Sequence, residues 1–395
     1  MPRKIRPRKI CVVITARPSY ARIKSALLAI REHPDLELQI VVAASALLDR
    51  FGNTLRVIED EGFKVDRRVY MVVDGENLIT AAKSTGFGLA ELSTVFDDLK
   101  PDVVVTIADR YETIATAIAA CYMNIPLAHI QGGEVTGSID EKVRHAITKL
   151  ADLHLVASER AAARVIGMGE RPEAVFVTGC PSIDLARQAL AAEPRSVTET
   201  LSRYGGVGPE IDTSNGYVVV MLHPVTSEYE EAAEQARITL QAVDDIGCPT
   251  LWFWPNVDAG SDGMSKSIRT YREMNSLDHV HFYKNLKPLD FLSVLINSRG
   301  IVGNSSVAIR ECAYLGVPAV NIGSRQAGRD RGINVTDIPF DHTAIFSAIR
   351  AMWNGSRLPE DTIYGDGTAG RKIADVLSMT NVSIEKRLVD LKDAA

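Results

Sequence analysis

The densest run of polar side chains in the sequence spans residues 129–145. It begins His-Ile-Gln-Gly-Gly-Glu, contains three glycines within six residues, and ends with Arg144 and His145. Glycine lets a backbone approach a ligand closely. Glu134 and Asp140 are groups that general acid–base catalysis uses, once burial or a neighbouring charge moves their pKa values toward neutrality. The run therefore predicts a catalytic loop.

Two further polar clusters follow apolar runs in the first half of the chain. Arg17 lies two residues after the run Lys9–Thr15, where a cation and a helix N-terminus together suit an anionic ligand. The alternative is an ordinary turn in which Ser19 caps the helix. Asp109 and Arg110 follow a second apolar run, and they form either part of a ligand site or a surface ion pair.

The second half carries similar clusters. His223 and Asn256 each follow an apolar run, at the positions where ligands bind in open α/β sheets. Ser305 and Ser306 begin a helical pattern, so their hydroxyls and the free N–H groups of the first turn could bind phosphate. The alternative for Ser305 is a simple N-cap. Arg325 follows the next apolar run and adds a cation.

Short β-branched runs alternate with helical patterns along the chain, and the runs are apolar on both faces, as in a parallel sheet covered by helices. In the first half, the predicted strands are Lys9–Thr15, Glu37–Ala43, Asp102–Ile107, Leu127–Ile130, Leu153–Ala157 and Val175–Thr178. In the second half, they are Tyr217–Leu222, Thr250–Trp254, Val280–Tyr283, Gly300–Val302 and Ala319–Ile322. The predicted helices include Ser19–Glu32, Ala46–Glu61, Gly86–Leu99, Tyr111–Met123, Glu228–Asp245, Leu289–Ser298, Ser306–Leu315 and Thr343–Trp353.

The alternation breaks over residues 189–215, where a Gly-Gly pair, two prolines and few large apolar side chains indicate an interdomain linker. We therefore predict an α/β fold of two Rossmann-like domains, residues 1–188 and 216–370, that face a cleft. The last segment, 371–395, contains a helical pattern over about 371–391 and is predicted to cross back to the first domain.

Composition excludes several classes of function. The net charge of −6 and the pI near 5.8 argue against a nucleic-acid-binding protein, which usually shows a basic face. No stretch approaches the ~18 apolar residues of a membrane span. Five widely spaced cysteines without a CxxC pair indicate free thiols in a reducing cytosol. No metal and no dinucleotide cofactor are predicted, because no Cys/His cluster has ligand spacing and the GxG run at Gly86 follows no strand.

Together the motifs resemble the hydrolysing UDP-N-acetylglucosamine 2-epimerases over about residues 8–375. The matching runs are Gly52-Asn53-Thr54, Asp109-Arg110, Gly132-Gly133-Glu134, Ser138-Ile139-Asp140, Arg144–Leu150, Gly179–Ser182, His223-Pro224-Val225, Pro255–Ser261, Gly303–Ser306, Arg325-Gln326 and Tyr364–Gly367. The resemblance implies the two-Rossmann GT-B fold, a UDP-sugar as the substrate, and homodimers or homotetramers.

The resemblance also assigns roles to residues. The implied nucleotide and substrate contacts are Arg17, Arg110, His145, His223, Asn256, Ser305, Ser306, Glu311 and Arg325. Asp109 and Asp140 match two essential carboxylates of the family. Gln131 stands where the family often has a third, a glutamate, and a glutamine cannot act as a base at neutral pH. Either Asp109 and Asp140 suffice, or the neighbouring Glu134 takes part.

The reaction so implied converts UDP-N-acetylglucosamine and water to N-acetylmannosamine and UDP. The C2 proton is weakly acidic, and loss of UDP from C1 acidifies it, so we expect anti elimination to a 2-acetamidoglucal followed by hydration. Asp109 and Asp140 are the candidate base and acid, in either order. Three alternatives stay open: the same chemistry on UDP-2,4-diacetamido-2,4,6-trideoxyglucose, a retaining GT-B glycosyltransferase, and a UDP-sugar sensor without catalysis.

Overall fold

The computed structural model describes residues 6–49, 53–74, 78–107, 110–135, 139–193, 196–255 and 260–389. The chain divides into two compact units. The first consists of Met1–Glu134, Ile139–Asp184 and Gly365–Ala395, and the second of Val135–Ser138 and Leu185–Tyr364. The second unit thus includes the segment 189–215, and the segment after Tyr364 groups with the first unit.

In the described residues, the first unit contains a seven-stranded parallel sheet. Its strands are β1 (Arg8–Ile14), β2 (Leu36–Ala43), β3 (Arg67–Val69), β4 (Val103–Ile107), β5 (Leu127–Ile130), β6 (Leu153–Val156) and β7 (Val175–Val177). They run in the order β3-β2-β1-β4-β5-β6-β7. The helices that connect them are α1 (Arg17–Glu32), α2 (Thr54–Asp60), α3 (Leu78–Leu99), α4 (Thr113–Tyr122), α5 (Ile139–Leu150) and α6 (Glu159–Gly167), and α7 (Pro181–Ala191) follows β7.

Both faces of this sheet are covered. Along β1, Ile10, Val12 and Ile14 pack into one buried cluster, whereas Cys11 and Val13 pack into a second. Alternate side chains of a strand point to opposite faces, so each cluster lies on its own side of the sheet. Because the strands are parallel, their carboxyl ends meet at one edge, which is where ligands bind in open α/β sheets.

The second unit repeats this design. Its strands are β8 (Gly206–Val207), β9 (Val218–Met221), β10 (Thr250–Phe253), β11 (Val280–Tyr283), β12 (Gly300–Gly303), β13 (Ala319–Ile322) and β14 (Val335–Ile338). They run in the order β14-β13-β12-β9-β10-β11-β8, with β8 antiparallel to β11 and the other pairs parallel. The helices are α8 (Val197–Leu201), α9 (Ala232–Ile246), α10 (Ser261–Met274), α11 (Pro288–Asn297), α12 (Ser306–Ile309), α13 (Glu311–Tyr314) and α14 (His342–Asn354).

The predicted α/β class of two Rossmann-like halves is confirmed, and every predicted strand is present with its ends within one residue. The predicted helix Ser306–Leu315 is interrupted at one turn residue, Arg310 (φ −96°, ψ −71°), which separates α12 from α13. The helix ends predicted at Ala46 and Glu228 are 3-10 turns, Ala44–Leu47 and Thr226–Glu231. No helix within the described ranges combines the length and the apolar character that crossing a bilayer requires.

Helix α15 (Ala369–Met379) packs on α1 in the first unit. The two carboxylate oxygens of Asp184 accept hydrogen bonds from the N–H groups of Ala369 (2.8 Å) and Gly370 (2.7 Å), which satisfies free donors of the first turn. The helix predicted over about 371–391 ends at Met379 instead, because Asn381-Val382-Ser383 have low helix propensity.

The residues after α15 contact the rest of the first unit through a buried charged cluster around Glu170. Its carboxylate accepts hydrogen bonds from Nζ of Lys149 (2.5 Å) and Nζ of Lys386 (2.5 Å), and it lies 3.0 Å from Nε2 of His154. Burial lowers the pKa of His154 below its usual value, so this side chain is neutral near pH 7. Burial raises the pKa of Glu170, but its hydrogen bonds with His154, Lys149 and Lys386 outweigh that effect and lower the pKa to about 2.

The Glu170 cluster predicts where the protein loses stability in acid. A carboxyl whose pKa is depressed on folding stabilises the folded state above its unfolded pKa, here near 4.5, and the contribution is lost as the pH falls through about 2. We therefore expect Glu170→Gln to lower the free energy of unfolding at pH 7 and to flatten its decline below pH 4.5. Urea unfolding across this pH range measures both effects, with the exposed Glu360→Gln as the control. Parallel declines in wild type and E170Q would contradict the assignment.

Candidate functional site

Three predicted site segments of the first unit follow β1, β4 and β5, which are neighbours in the sheet. Arg17 begins α1, Arg110 lies in the turn between β4 and α4, and Gln131 follows β5 directly. Asp109 lies outside the described residues. The sheet topology thus brings Arg17, Arg110 and Gln131 to the edge at which ligands bind in this fold.

Arg17 is half-buried at the start of α1, and burial lowers the pKa of its guanidinium. The N-cap residue of the helix is Ala16, which has no side chain able to cap, and the first turn contains Pro18. Ser19 lies inside the helix and is buried. The interpretation of Ser19 as the cap is therefore wrong, because the helix starts two residues earlier, as a proline in the first turn favours. A guanidinium stays protonated in proteins, so Arg17 adds positive charge to this helix end.

Arg110 forms an ion pair with a carboxylate of its own loop. Its Nε donates to Oε1 of Glu112 at 2.9 Å, and the Glu112 side chain is 1% exposed whereas that of Arg110 is 36% exposed. An ion pair is the alternative role that the sequence predicts for this segment. The pair that forms involves Glu112, and it orients the guanidinium while leaving part of it accessible.

The loop after β5 is fixed by hydrogen bonds to its main chain. Nη1 of the buried Arg144 donates to the carbonyl of Glu134 at 2.8 Å, and Nη1 of Arg164 donates to the carbonyl of Gly133 at 3.1 Å. Gly133 has a φ of +74°, and a Cβ there would clash with the carbonyl of Ala161, so only glycine fits. The Glu134 side chain is buried. Gly133 therefore fixes the path of the loop.

Gln131 has the left-handed φ of +66°, which is uncommon for a residue with a side chain. Its N–H donates to the carbonyl of Leu155 in β6 at 3.0 Å. Its Nε2 donates to Sγ of Cys180 at 2.9 Å, and Sγ lies 3.1 Å from Oγ of Ser182. All three side chains are buried, so this polar chain is shielded from bulk water.

Helix α5 carries two further predicted site residues. Asp140 is the second residue of the helix, and its side chain lies outside the described part of the structure. Nε2 of His145 lies 3.2 Å from Oε1 of Glu141, one turn earlier. Nδ1 of His145 is buried and hydrogen-bonds no atom of the described residues. His145 can therefore donate or accept one more hydrogen bond.

In the second unit, Asn304 joins the loops that follow β9, β12 and β13. Its Oδ1 accepts from the N–H of His223 and its Nδ2 donates to the carbonyl of His223, both at 2.8 Å. The carbonyl of Asn304 accepts from Nη1 of Arg325 at 3.2 Å and from Nε2 of Gln326 at 2.9 Å. Asn304 is fully buried. The structure thus gathers His223 and Arg325 beside Ser305.

His223 and Arg325, which both contact Asn304 and with it form what we call the Asn304 node, differ in charge. His223 is 2% exposed, and burial, with a smaller contribution from the positive charge of Arg325, lowers its pKa to about 3. The imidazole is therefore neutral near pH 7, whereas the guanidinium of Arg325 stays charged. A neutral donor next to a fixed cation suits an anion such as a phosphate.

Ser305 and Ser306 follow the same node. Oγ of Ser305 accepts from the N–H of Val307 at 3.4 Å, so the N-cap interpretation of Ser305 is confirmed. Oγ of Ser306 accepts from Nη2 of the buried Arg310 at 2.9 Å. Because α12 is a single turn, a helix dipole of the predicted length does not form. Attraction for an anion at this point comes from side chains instead.

Glu311 begins α13 and is buried. Its Oε2 is shielded from solvent and hydrogen-bonds no atom of the described residues. A buried carboxylate oxygen without a donor is costly, so this position is suited to hydroxyl groups of a ligand. Asn256 lies outside the described residues. Within the described ranges, no group of three or more His, Cys, Asp or Glu side chains is placed to hold a metal ion.

Asn304 and Cys180 are among the residues of these networks that are not predicted from the sequence as site residues. Asn304 lies in the motif Gly303–Ser306 and directly follows β12, and Cys180 lies in the motif Gly179–Ser182, three residues after β7. Position after a strand is therefore the signal that would have identified them. Their contacts, to His223 and Gln131, join segments 81 and 49 residues apart.

Comparison with known proteins agrees with these observations. The profile of the UDP-N-acetylglucosamine 2-epimerase family matches residues 28–378. A Legionella pneumophila protein named UDP-N,N'-diacetylbacillosamine 2-epimerase (hydrolyzing) is 33% identical over 372 residues, which cover 94% of this chain and 95% of the relative. A Neisseria meningitidis protein named UDP-N-acetylglucosamine 2-epimerase is 28% identical over 390 residues, which cover 97% and 99%.

The fold has close counterparts among solved structures. The crystal structure of UDP-GlcNAc 2-epimerase from Neisseria meningitidis, bound to UDP-GlcNAc, matches with a TM-score of 0.78 at 18% identity, over 93% of this chain and 99% of the other. The fold is therefore of the predicted GT-B type. The match of the family profile to most of the sequence, with a relative one-third identical over nearly its whole length, shows that this chain belongs to the UDP-N-acetylglucosamine 2-epimerase family.

Proposed function

We propose that this protein hydrolyses UDP-N-acetylglucosamine to UDP and the free 2-epimer, N-acetylmannosamine. The observation that carries the proposal is the node at Asn304, which holds the cation of Arg325 and the neutral imidazole of His223 beside two serine hydroxyls. Relatives named as hydrolysing 2-epimerases at 33% and 30% identity support the hydrolytic type of reaction.

The proposed ligand of the Asn304 node is the diphosphate of UDP. As the C1–O bond breaks, negative charge develops on the departing diphosphate, and a fixed cation beside it stabilises the transition state. Arg325 is already held by the carbonyl of Asn304, so little of its side-chain entropy has to be lost on binding. His223 would donate one hydrogen bond from an uncharged ring.

Glu311 is proposed to bind the ribose of the nucleotide. Its buried Oε2, which has no donor among the described residues, would accept a hydrogen bond from a ribose hydroxyl. An ionised carboxylate has several acceptor positions and no donor, so it matches a pair of hydroxyls. In this proposal, Arg325 and His223 bind the diphosphate of the nucleotide, whereas Glu311 binds its ribose.

The chemistry at the hexosamine is proposed to use Asp109 and Asp140, in either order. One carboxylate removes the C2 proton as the C1–O bond breaks, which yields 2-acetamidoglucal and UDP. Water then adds across the double bond. Its hydroxyl bonds to C1, and a proton is delivered to C2 on the face opposite to the one from which the first proton was removed. This second step inverts C2, and it needs no oxidation at any carbon. Glu134 is the further carboxylate proposed to take part, on a loop fixed by Arg144.

Gln131 is proposed to orient the sugar. Its carboxamide cannot accept a proton near pH 7, but it can donate and accept hydrogen bonds. The backbone at this residue is held in the left-handed region by the contact of its N–H with Leu155. Strained backbone of this kind is often found at functional sites, which supports a role in binding the reacting sugar.

A second candidate substrate is favoured by one comparison. The Legionella pneumophila relative at 33% identity is named for UDP-N,N'-diacetylbacillosamine, a 2,4-diacetamido-2,4,6-trideoxy sugar. The reaction at C1 and C2 would be the same for this sugar, because its other substituents lie at C4 and C6. The two candidates therefore differ in binding and not in mechanism.

The proposal predicts the products and the isotope content of the reaction. The protein is incubated with UDP-N-acetylglucosamine or UDP-N,N'-diacetylbacillosamine in deuterated water, and the sugars are followed by NMR. We expect UDP and the free 2-epimer, with deuterium at C2. A 2-epimer still linked to UDP would contradict the hydrolytic type, and protium retained at C2 would contradict the elimination. The ratio of kcat/KM for the two sugars identifies the substrate.

Arg325 is predicted to be essential for turnover. Removing one preorganised group that stabilises developing negative charge typically costs about 10²–10³-fold in kcat, and Arg325→Ala should fall in this range. Arg325→Lys should recover only part of the loss, because an ammonium lacks the planar fork of a guanidinium. The exposed Arg350→Ala in α14 is the matched control and should behave as wild type. Activity of R325A within threefold of R350A would exclude Arg325 from the diphosphate site.

His223 is predicted to act without titrating in the working pH range. The profile of kcat/KM against pH reports the ionisations of the free enzyme, in which the pKa of His223 is about 3. His223→Gln, which keeps a neutral donor, should lower kcat/KM but leave the shape of the profile between pH 5 and 8 unchanged. The disappearance in H223Q of a limb centred between pH 6 and 7 would show that His223 is charged in the working enzyme.

A further inference from the structure

The side chain of Gln131 is held by a residue that the proposed mechanism does not use. Nε2 of Gln131 donates to Sγ of Cys180 at 2.9 Å, and both side chains are buried. Gln131 follows β5 and Cys180 lies three residues beyond β7, so the contact spans the carboxyl end of β6. Both loops are also bonded to β6, since the N–H of Gln131 donates to Leu155 and that of Gly179 to Val156.

A carboxamide has two chemically different ends of nearly the same shape. Without a partner that distinguishes them, the group can present either its oxygen or its NH₂ to a ligand. A thiol sulfur that accepts from Nε2 fixes the nitrogen on the side of Cys180, which leaves the oxygen and the second N–H for other partners. Ser182 completes the arrangement, because Oγ lies 3.1 Å from Sγ and can accept the thiol hydrogen.

We propose that Cys180 is a positioning residue that sets the orientation of the Gln131 carboxamide toward the sugar. The inference rests on the proposed function, in which Gln131 binds the reacting sugar. Cys180 itself does not touch the substrate in this proposal; it acts through Gln131. The thiol of Cys180 can accept a hydrogen bond from a glutamine at position 131. A glutamate at this position would have no N–H to donate, so the thiol would have to be the donor instead.

A double-mutant cycle tests whether Cys180 acts through Gln131. Cys180→Ala removes the acceptor and should lower kcat about tenfold, the effect of one neutral hydrogen bond, with little change in KM. Cys180→Ser keeps an acceptor of similar size and should retain kcat within about threefold. Gln131→Ala should lower kcat at least as much as C180A. In the Q131A background, C180A should have no further effect, because the group it orients is gone.

The outcomes separate this inference from the proposed function. Wild type inactive on both UDP-sugars would overturn the proposed function and this inference together. With an active wild type, equal effects of C180A in the wild-type and Q131A backgrounds would overturn the inference alone and assign Cys180 a purely structural role. Cys11→Ala, a buried thiol of the same unit in β1, is the matched control and should leave kcat unchanged.

A second measurement reads the hydrogen bond directly and needs no turnover. In protein labelled with 15N-glutamine, the side-chain NH₂ signals of Gln131 are identified by their loss in Q131A. We expect these signals to shift in C180A and to keep their wild-type position in C11A. Unchanged Gln131 signals in C180A would show that the thiol does not hold the carboxamide, and would overturn the inference even if kcat falls.

Discussion

Two hydrogen bonds between the carboxamide of Asn304 and the main chain of His223 fix two loops at the carboxyl ends of the strands in the second unit. Loops at strand ends lack a ladder partner, so their main-chain groups must find other partners when they are buried. A carboxamide has a donor and an acceptor at its tip and so satisfies both groups of one residue. The carbonyl of the same asparagine accepts a hydrogen bond from Arg325. This contact fixes the guanidinium, which is the positive charge that a ligand would meet.

In the first unit, different side chains bond the main chain of the loop that follows a strand. Its catalytic-loop candidate is held by guanidinium groups of Arg144 and Arg164, which donate to the carbonyls of Glu134 and Gly133. In both units the loops are therefore fixed by side chains that bond the main chain, and regular secondary structure stops just before them.

The sequence predicts well what depends on local pattern. Strands such as Val103–Ile107 are recovered because an uninterrupted β-branched run follows Pro101 and Asp102. Parallel strands then bring His223, Ser305 and Arg325 to one edge. The edge strand β3 is missed because its sequence is Arg-Arg-Val, without the apolar signal of a buried strand. The contact of Gln131 with Cys180 could not be foreseen, because it joins two loops 49 residues apart through a sulfur acceptor.

The first unit is discontinuous in the sequence, and this sets an order for its assembly. Ile23 and Leu27 of α1 share a buried cluster with Ile373 and Leu377 of α15. Residues 185–364 of the second unit leave the ribosome before α15 does, so that unit can complete its core first, whereas the α1 surface stays uncovered. A nascent chain that stalls within this interval exposes the apolar stripe of α1 while the second unit is already folded, and chaperones bind such exposed apolar surfaces during translation.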